Sequence, residues 1–568
     1  MGLGTQEFAD FLPHSIKEYS DLRGGIGLEN EEVDVPTDTT EESMRKRNRL
    51  WWSESIETTK NRYITLGPLV VSAGDLATPP LKIIDFAGVT YVFGTSVSKY
   101  WDGAALQAAD ASPLANLTDA IVFTDATNDY LIVCNGSDVR YCSIGYGASK
   151  DWATLSTNDA KYLASFDKRL FGINSTGTVV YYSARDNCDN AAGGAMSYFN
   201  ISGPWTTATD LFCGKGFQTG EEILYMVTDT GLVTIDYWTR VAYPALPIPK
   251  TANALVGAWW NALVLMATGS GITTINTGLE ASQFGADIDD GLPADEIGYV
   301  YDILPLCHWI LIAVSGGTKS SILKRHESTG GWHQIYTSSS NIRTLWHSTL
   351  TSPGYLWFGE GNYVKYLMLP DKTHDVTKVS GYTYAASGEF ILPRLSRLSV
   401  LPKIALSVDA LTEDCNATET ITVYLRVNET TSWGTAVGTF VTSGHPTEIS
   451  LGSGLGTAFN DIQMKVALAR GTTTTNSPKL KSIALKFIPS PAPVLSWTFK
   501  ISAAGDRAKE IITNLETARD ASTLVNFSPV GDLGISTKYV KVESIPSVQE
   551  LDKYAVEKQL EITLTEAI

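Results

Sequence analysis

Tyr91-Val92-Phe93-Gly94-Thr95-Ser96-Val97-Ser98-Lys99-Tyr100-Trp101-Asp102-Gly103 puts an apolar strand, a turn of small polar residues and an aromatic strand one after another. The same pattern returns along the chain. Its first halves read Leu131-Ile132-Val133, Leu170-Phe171, Leu224-Tyr225-Met226-Val227, Leu263-Val264-Leu265-Met266, Ile310-Leu311-Ile312 and Tyr355-Leu356-Trp357-Phe358. Their partner strands are Arg140-Tyr141, Val179-Val180-Tyr181-Tyr182, Val233-Thr234-Ile235, Ile272-Thr273-Thr274-Ile275, Ile322-Leu323 and Tyr363-Val364-Lys365-Tyr366.

Six intervals separate Tyr91 from Tyr355, and their mean of about 44 residues is the length of a four-stranded propeller blade. One small antiparallel sheet cannot bury both faces alone, whereas sheets stacked radially about an axis bury each other and leave only short edges. A helical solenoid of equal period would need 3.6-residue periodicity, and the repeats instead alternate β-branched and aromatic residues. The expected fold is therefore mainly β, with a six- or seven-bladed β-propeller over residues 76–372. The interval from Leu170 to Leu224 is the longest of the six and could hold an insertion, so the blade number stays open between six and seven.

Outside the repeats the pattern changes. Residues 1–75 read as an extended N-terminal arm. Arg23-Gly24-Gly25-Ile26-Gly27 is expected to be a flexible stretch, and Thr39 with Glu42 forms a capping box for a short helix from Glu41 to Leu50 whose end carries Arg45 and Arg47. Basic residues there suit the helix dipole, so a well-charged helix is the plain reading. The sharper one is a docking arm, because Trp51 and Trp52 lie in a segment with little core of its own. Arg23, Gly24, Gly25, Arg45, Arg47, Trp51 and Trp52 are thus the candidate partner contacts. Tyr63 to Val71 reads as a strand able to close the propeller ring. Residues 376–489 alternate over longer strands (Ile404–Val408, Glu419–Val427, Ile462–Leu468 and Leu480–Phe487), which indicates a β-sandwich. After the Ser490-Pro491-Ala492-Pro493 linker, residues 494–568 read as a small α+β domain with a helix capped by Asp506.

Among the 568 residues, 61 acidic against 43 basic side chains give a formal charge of -18. Coating nucleic acid requires a basic footprint, so the acidic excess argues against that class, but not against a conduit that DNA slides through, where a repulsive wall prevents sticking. No basic and apolar leader opens the chain and no apolar run reaches bilayer length. Six cysteines without a framework are expected as thiols. Cys134 and Cys142 flank the Asn135-Gly136 turn asymmetrically, which disfavours a disulfide between them.

No Gly-x-Ser-x-Gly, Walker A or His-Glu-x-x-His motif occurs, so no enzyme is expected, and no cofactor or metal site is assigned. His326 and His333 could face each other across a hairpin, but lack a carboxylate or cysteine at ligand spacing. Asp287-Ile288-Asp289-Asp290-Gly291 resembles a calcium loop, departs from it with glycine at the fifth place, and reads better as a solvated loop. Ser328-Thr329-Gly330-Gly331-Trp332 lacks the aspartate of sialidase-type turns and reads as a tight hairpin.

The arrangement resembles tail and neck proteins of double-stranded DNA bacteriophages. The likeness is carried by the Arg23–Gly27 arm, by Lys60-Asn61-Arg62-Tyr63-Ile64-Thr65-Leu66-Gly67-Pro68, by repeats of the kind Val97–Gly103, and by the closing run Lys558–Glu566. It implies a non-enzymatic virion protein, made in the host cytoplasm and placed in the nozzle, neck or distal tip. Its implied partners are other tail proteins and copies of itself in a three-fold or six-fold ring, with transient DNA passage. The alternative from another class is a carbohydrate-binding or glycan-degrading propeller, for which Trp259-Trp260 could stack on sugars, though at strand spacing such pairs are more often core.

Overall fold

In a computed structural model of the chain, the residues described are 15–31, 49–59 and 63–489, together with 496–503, 508–520, 525–527, 538–544 and 558–566. Within 63–489 the described set leaves out 109–114, 127, 144–151, 189–195, 217–219, 248–254, 269–270, 277–279, 288–289, 328–329, 371–372, 374 and 397–400.

The repeat read from the sequence is one four-stranded antiparallel sheet. Successive sheets of this kind span residues 80–108, 119–156, 160–200, 208–247, 257–283 and 299–338 among the described residues. A last one combines Ile342–Ser348, Tyr355–Glu360 and Tyr363–Met368 with Val70–Asp75, which pairs with Tyr363–Met368. The apolar half of each repeat is the second strand of its sheet, as in Val89–Gly94 and Arg169–Asn174, and the aromatic half is the third. Second strands are buried over nearly their whole length because neighbouring sheets cover both faces. First strands pack on the first strands of the adjoining sheets all the way round, the last against the first, so the sheets form a closed β-propeller.

Closure comes later than expected: of the strand read at Tyr63 to Val71 only Val70 and Val71 take part, whereas Thr65–Leu66 pairs with Ile56–Glu57 and Pro68 bridges Tyr384. Val70–Asp75 is the outermost strand of the last sheet, and the chain passes from it directly to Pro80–Phe86, the innermost strand of the first. The ends of the ring are thereby hydrogen-bonded into one sheet. The long interval after Leu170 is explained within the third sheet: the excess lies between its third strand, Val179–Tyr182, and its fourth, Ser197–Asn200. Tight hairpins join first and second strands, and Ala87-Gly88, Asp167-Lys168 and Asn261-Ala262 all have positive φ, as type I′ turns require.

Two five-stranded sheets lie beside those of the propeller among the described residues. One orders Ser15–Tyr19, Lys479–Pro489, Lys403–Glu413 and Ile449–Ser450, with Thr457–Phe459 also on Lys403–Glu413. The other orders Trp52–Glu54, Ser387–Ile391, Ile462–Ala469, Thr420–Val427 and Gly438–Phe440. An outer strand of each sheet therefore comes from the N-terminal segment that precedes the propeller. Phe390, Val408, Ile421, Phe440, Phe459 and Val466 fill the space between the sheets.

A separate compact unit towards the C-terminus holds an antiparallel sheet ordered Ser496–Ala503, Lys558–Glu566, Lys538–Ser544 and Val525–Phe527, with the helix Ala508–Asp520. Val540, Val542, Ile562 and Leu564 make its small core, with Leu515 and Phe527 against them. Asp506, read from sequence as the helix cap, lies outside the described residues.

Candidate functional site

Two constellations stand out, one on the propeller axis and one where the N-terminal segment meets the ring. On the axis, the first strands of five sheets carry a register shift near their start: at Pro80/Lys82, Ala160/Tyr162, Ala208/Asp210, Val300/Asp302 and Ile342/Thr344. A bulge leaves one residue out of the ladder and re-aims its side chain. Asp210 and Asp302, the residues at which the ladder resumes after Thr209 and Tyr301 are skipped, and Asp119 at the start of its strand, satisfy backbone donors of the next sheet. Asp119 of the second sheet accepts from the Leu163 N–H at 2.9 Å, Asp210 of the fourth from Gly257 at 2.9 Å, and Asp302 of the sixth from Leu345 at 2.6 Å. Alternate sheets are thus stapled to their successors by carboxylates.

Lys82 of the first sheet pairs with Asp119 at 2.8 Å, and solvent still reaches 38% of its side chain. Burial works against its ammonium, and the charge and hydrogen bond of Asp119 outweigh it, so its pKa lies above the usual lysine value. Burial pushes the Asp210 carboxyl up to about 7 and the Asp302 carboxyl up to about 6, since the charge of Lys82 acts on them less strongly than the loss of water. Burial also raises the Tyr162 phenol, which feels the charges of Asp210 and Asp119. The group is a charge cluster whose net charge changes near neutral pH.

The direction of the Asp210 shift sets its pH dependence. A carboxyl whose folded pKa exceeds the unfolded one favours folding fully below about pH 4, and that contribution is lost as the pH rises through about 7. Asp210→Asn should therefore raise the melting temperature at pH 8.5 and raise it much less at pH 5, as read by differential scanning fluorimetry. An equal shift at both values would show that Asp210 does not titrate in this window.

At the second constellation the N-terminal segment lies within its own chain. Gly24 and Gly25 are buried, and the Ile26 N–H donates to the Trp332 carbonyl at 2.8 Å. A Cβ on Gly25, at φ +83°, would stand 2.3 Å from that carbonyl oxygen, and one on Gly331 would stand 2.5 Å from the Gly24 oxygen. The flexible stretch expected from sequence is instead a close backbone-on-backbone contact, because glycines face each other from both sides. The same contact explains Gly331-Trp332. Arg23 pairs with Asp21 at 2.8 Å. Trp52 is 7% exposed in the shared core, whereas Trp51 sits with its ring centroid 5.5 Å from the Arg426 guanidinium. Arg45 and Arg47, and the helix expected from Glu41, fall outside the described residues apart from Arg49 and Leu50.

Further along, Ser55 and Thr58 dock on the outer strand of the sixth sheet, Trp332–Ser338, and Glu57 on the neighbouring third strand, Ser320–His326. Ser55 N–H donates to Gln334 Oε1 at 3.0 Å, Thr58 Oγ1 lies 2.7 Å from His333 Nδ1, and Lys324 Nζ lies 2.5 Å from Glu57 Oε2. Burial pushes the His333 imidazole down to about 3, so it is neutral. Burial opposes the Glu57 carboxylate, and Lys324 overrides it and holds its pKa below the usual range. The outer strands of the first and fifth sheets are short and exposed; this one is covered and almost wholly buried.

The other sequence candidates resolve individually. His333 stands opposite Lys324 in the ladder, away from His326, and His326 stacks near His308, whose Nδ1 is 2.5 Å from Glu327. Cys134 is paired in register with Val139, and Cys142 with Leu131. Asp290, from the loop likened to a calcium site, accepts from the Glu29 and Asn30 N–H groups at 2.8 and 3.1 Å, so it is a clasp on the N-terminal segment. Trp260 is buried with its Nε1 donating to the Leu306 carbonyl at 2.7 Å. No group of three metal-ligating side chains occurs among the described residues, and no helix among them is long and apolar enough to cross a membrane. Sequence reasoning missed Lys82, Asp119, Asp210 and Asp302. The available signal was an ionisable residue just inside the innermost strand, visible only once that strand is located.

No protein-family profile and no curated protein matches the chain. Solved structures similar to it include the extracellular domain of a one-component system from B. thetaiotaomicron, at 11% identity and TM-score 0.38, covering 53% of this chain and 40% of that one. The extracellular domain of a hybrid two-component system from the same organism is 13% identical with TM-score 0.39, over 68% of this chain and 50% of that one. The Neurospora crassa Pan2 WD40 domain is 8% identical with TM-score 0.36, over 54% and 98%. The chain therefore spans half or less of those two extracellular domains, and at these scores the likenesses say nothing about what it does.

Proposed function

We propose that the chain is a non-enzymatic structural subunit of a phage tail, in the nozzle or neck or at the distal tip, built on a seven-bladed propeller. The observation that carries this reading is the weave of the N-terminal segment. It gives an outer strand to each sandwich sheet, covers the outer strand of the sixth propeller sheet and supplies the closing strand of the seventh. Leu22, Leu50, Trp52, Ile303, Trp332, Phe390 and Leu480 consequently belong to one continuous core. Such a body transmits load between propeller and sandwich without a hinge, which suits a part that must hold its shape in an assembly. In this reading the partners are other tail proteins and further copies of the chain in a ring of three or six. The acidic balance of the chain then lets DNA pass through that ring without sticking.

Purified tailed particles from the source test it. Mass spectrometry should find the chain there in a copy number that is a multiple of three or six. Absence from particles would overturn the proposal, as would release of reducing sugar from envelope polysaccharide by the purified chain that a single carboxylate substitution abolishes.

A further inference from the structure

A cavity of about 400 Å³ opens in the sandwich, between the loop at 414–419, the loop at 475–477 and the connecting segment at Thr377. That volume lies within the range of roughly 300–1,000 Å³ typical of small-molecule clefts. Its floor is made by side chains that are nearly sealed: Tyr384 at 6%, Cys415 at 7% and Glu419 at 4% exposure. Asn416 and Asn476 line it higher up and are exposed.

The walls are held in place before any ligand arrives. Asn416 Oδ1 accepts from the Thr418 and Glu419 N–H groups at 2.8 and 3.1 Å, an Asx turn that fixes the first loop. Asn476 N–H donates to the Thr473 carbonyl at 3.2 Å. Glu419 accepts from Thr418 Oγ1 at 2.7 Å and from the Gly471 N–H at 3.4 Å, with Asn416 and Asn476 lining the same cavity. A buried carboxylate flanked by two amides is therefore presented in a set orientation, and preorganisation of this kind lowers the cost of binding.

The charges decide the class of ligand. Lys479, the cation among the lining side chains, is taken by Asp414 at 2.7 Å and Glu413 at 3.0 Å, so it offers little to an anion. The acid at the rim is spent on the same pair, and no three ligating side chains converge for a metal ion among the described residues. What remains is a carboxylate acceptor beside amide and hydroxyl groups that both donate and accept.

We infer that this cavity binds a neutral, hydroxyl-rich ligand of monosaccharide size, with Glu419 accepting from adjacent hydroxyls and Asn416 and Asn476 bonding the same ring. Vicinal hydroxyls match a carboxylate edge and amides in the way no apolar ligand does. The site lies in the sandwich, so it stands independently of the role proposed for the propeller.

Saturation-transfer NMR on the full chain with a panel of free hexoses and N-acetylhexosamines tests it. At least one sugar should show transfer with millimolar affinity. Glu419→Gln should weaken it tenfold or more, and Asn476→Ala, at an exposed rim position that leaves folding intact, severalfold. No transfer from any sugar of the panel would overturn the inference, as would affinities unchanged by both substitutions. A rise in melting temperature with calcium alone, lost in Glu419→Gln, would assign the cavity to a cation instead and overturn it equally.

Discussion

Gly25→Ala is expected to unseat the N-terminal segment from the sixth sheet and destabilise the folded unit by roughly 3 kcal/mol or more. Two costs add at this position. The backbone sits at φ +83°, where an L side chain is strained, and the new methyl would stand 2.3 Å from the Trp332 carbonyl oxygen and 2.7 Å from its nitrogen. Neither neighbour can yield cheaply, because both are backbone atoms in the strand Trp332–Ser338, and the carbonyl already accepts the Ile26 N–H. The substitution should lower the melting temperature and speed proteolysis within the segment that precedes the propeller. Gly271→Ala is the control: a Cβ there meets nothing within 4 Å, and its effect should be small. If Gly25→Ala melts with the wild type, the buried contact does not hold the segment.

Lys324→Met should cost about 3–5 kcal/mol, because it leaves Glu57 as a buried charge without a partner. Both side chains are nearly inaccessible, at 8% and 5% exposure. The Lys324 ammonium also lies 4.9 Å from the centroid of Trp309, so its removal loses a cation–π contact. The double variant Lys324→Met with Glu57→Gln should recover much of the loss, since a neutral amide keeps a partner for the Thr59 N–H, which Glu57 Oε1 accepts at 3.0 Å. Chemical denaturation of the single and double variants reads the coupling. Additive losses would show that the two charges do not depend on one another.

The propeller was legible because its repeat is driven by burial on both faces. Second strands such as Leu131-Ile132-Val133 must be apolar throughout, so they announce themselves at each period. First strands did not, since Lys82, Asp119, Asp210 and Asp302 interrupt their apolar pattern to reach the axis. The close fit of Arg23–Gly27 was not legible for a related reason. A run such as Arg23–Gly27 looks pliable in isolation, and only the arrival of Gly331 opposite it, from the far end of the propeller, turns missing side chains into a close fit. The Glu57–Lys324 pair was equally hidden by its wide separation along the chain.

By itself, then, the sequence determined that the chain is mainly β, that four-stranded units repeat at a blade-length period, and that a strand before the first repeat can close the ring. Those properties depend on local alternation and on which faces must avoid water. Tertiary structure alone decided where the N-terminal segment goes, which carboxylates meet at the axis and how the sandwich cavity is lined. Each of these is a contact between distant segments, and its energy exists only once the chain has brought both sides together.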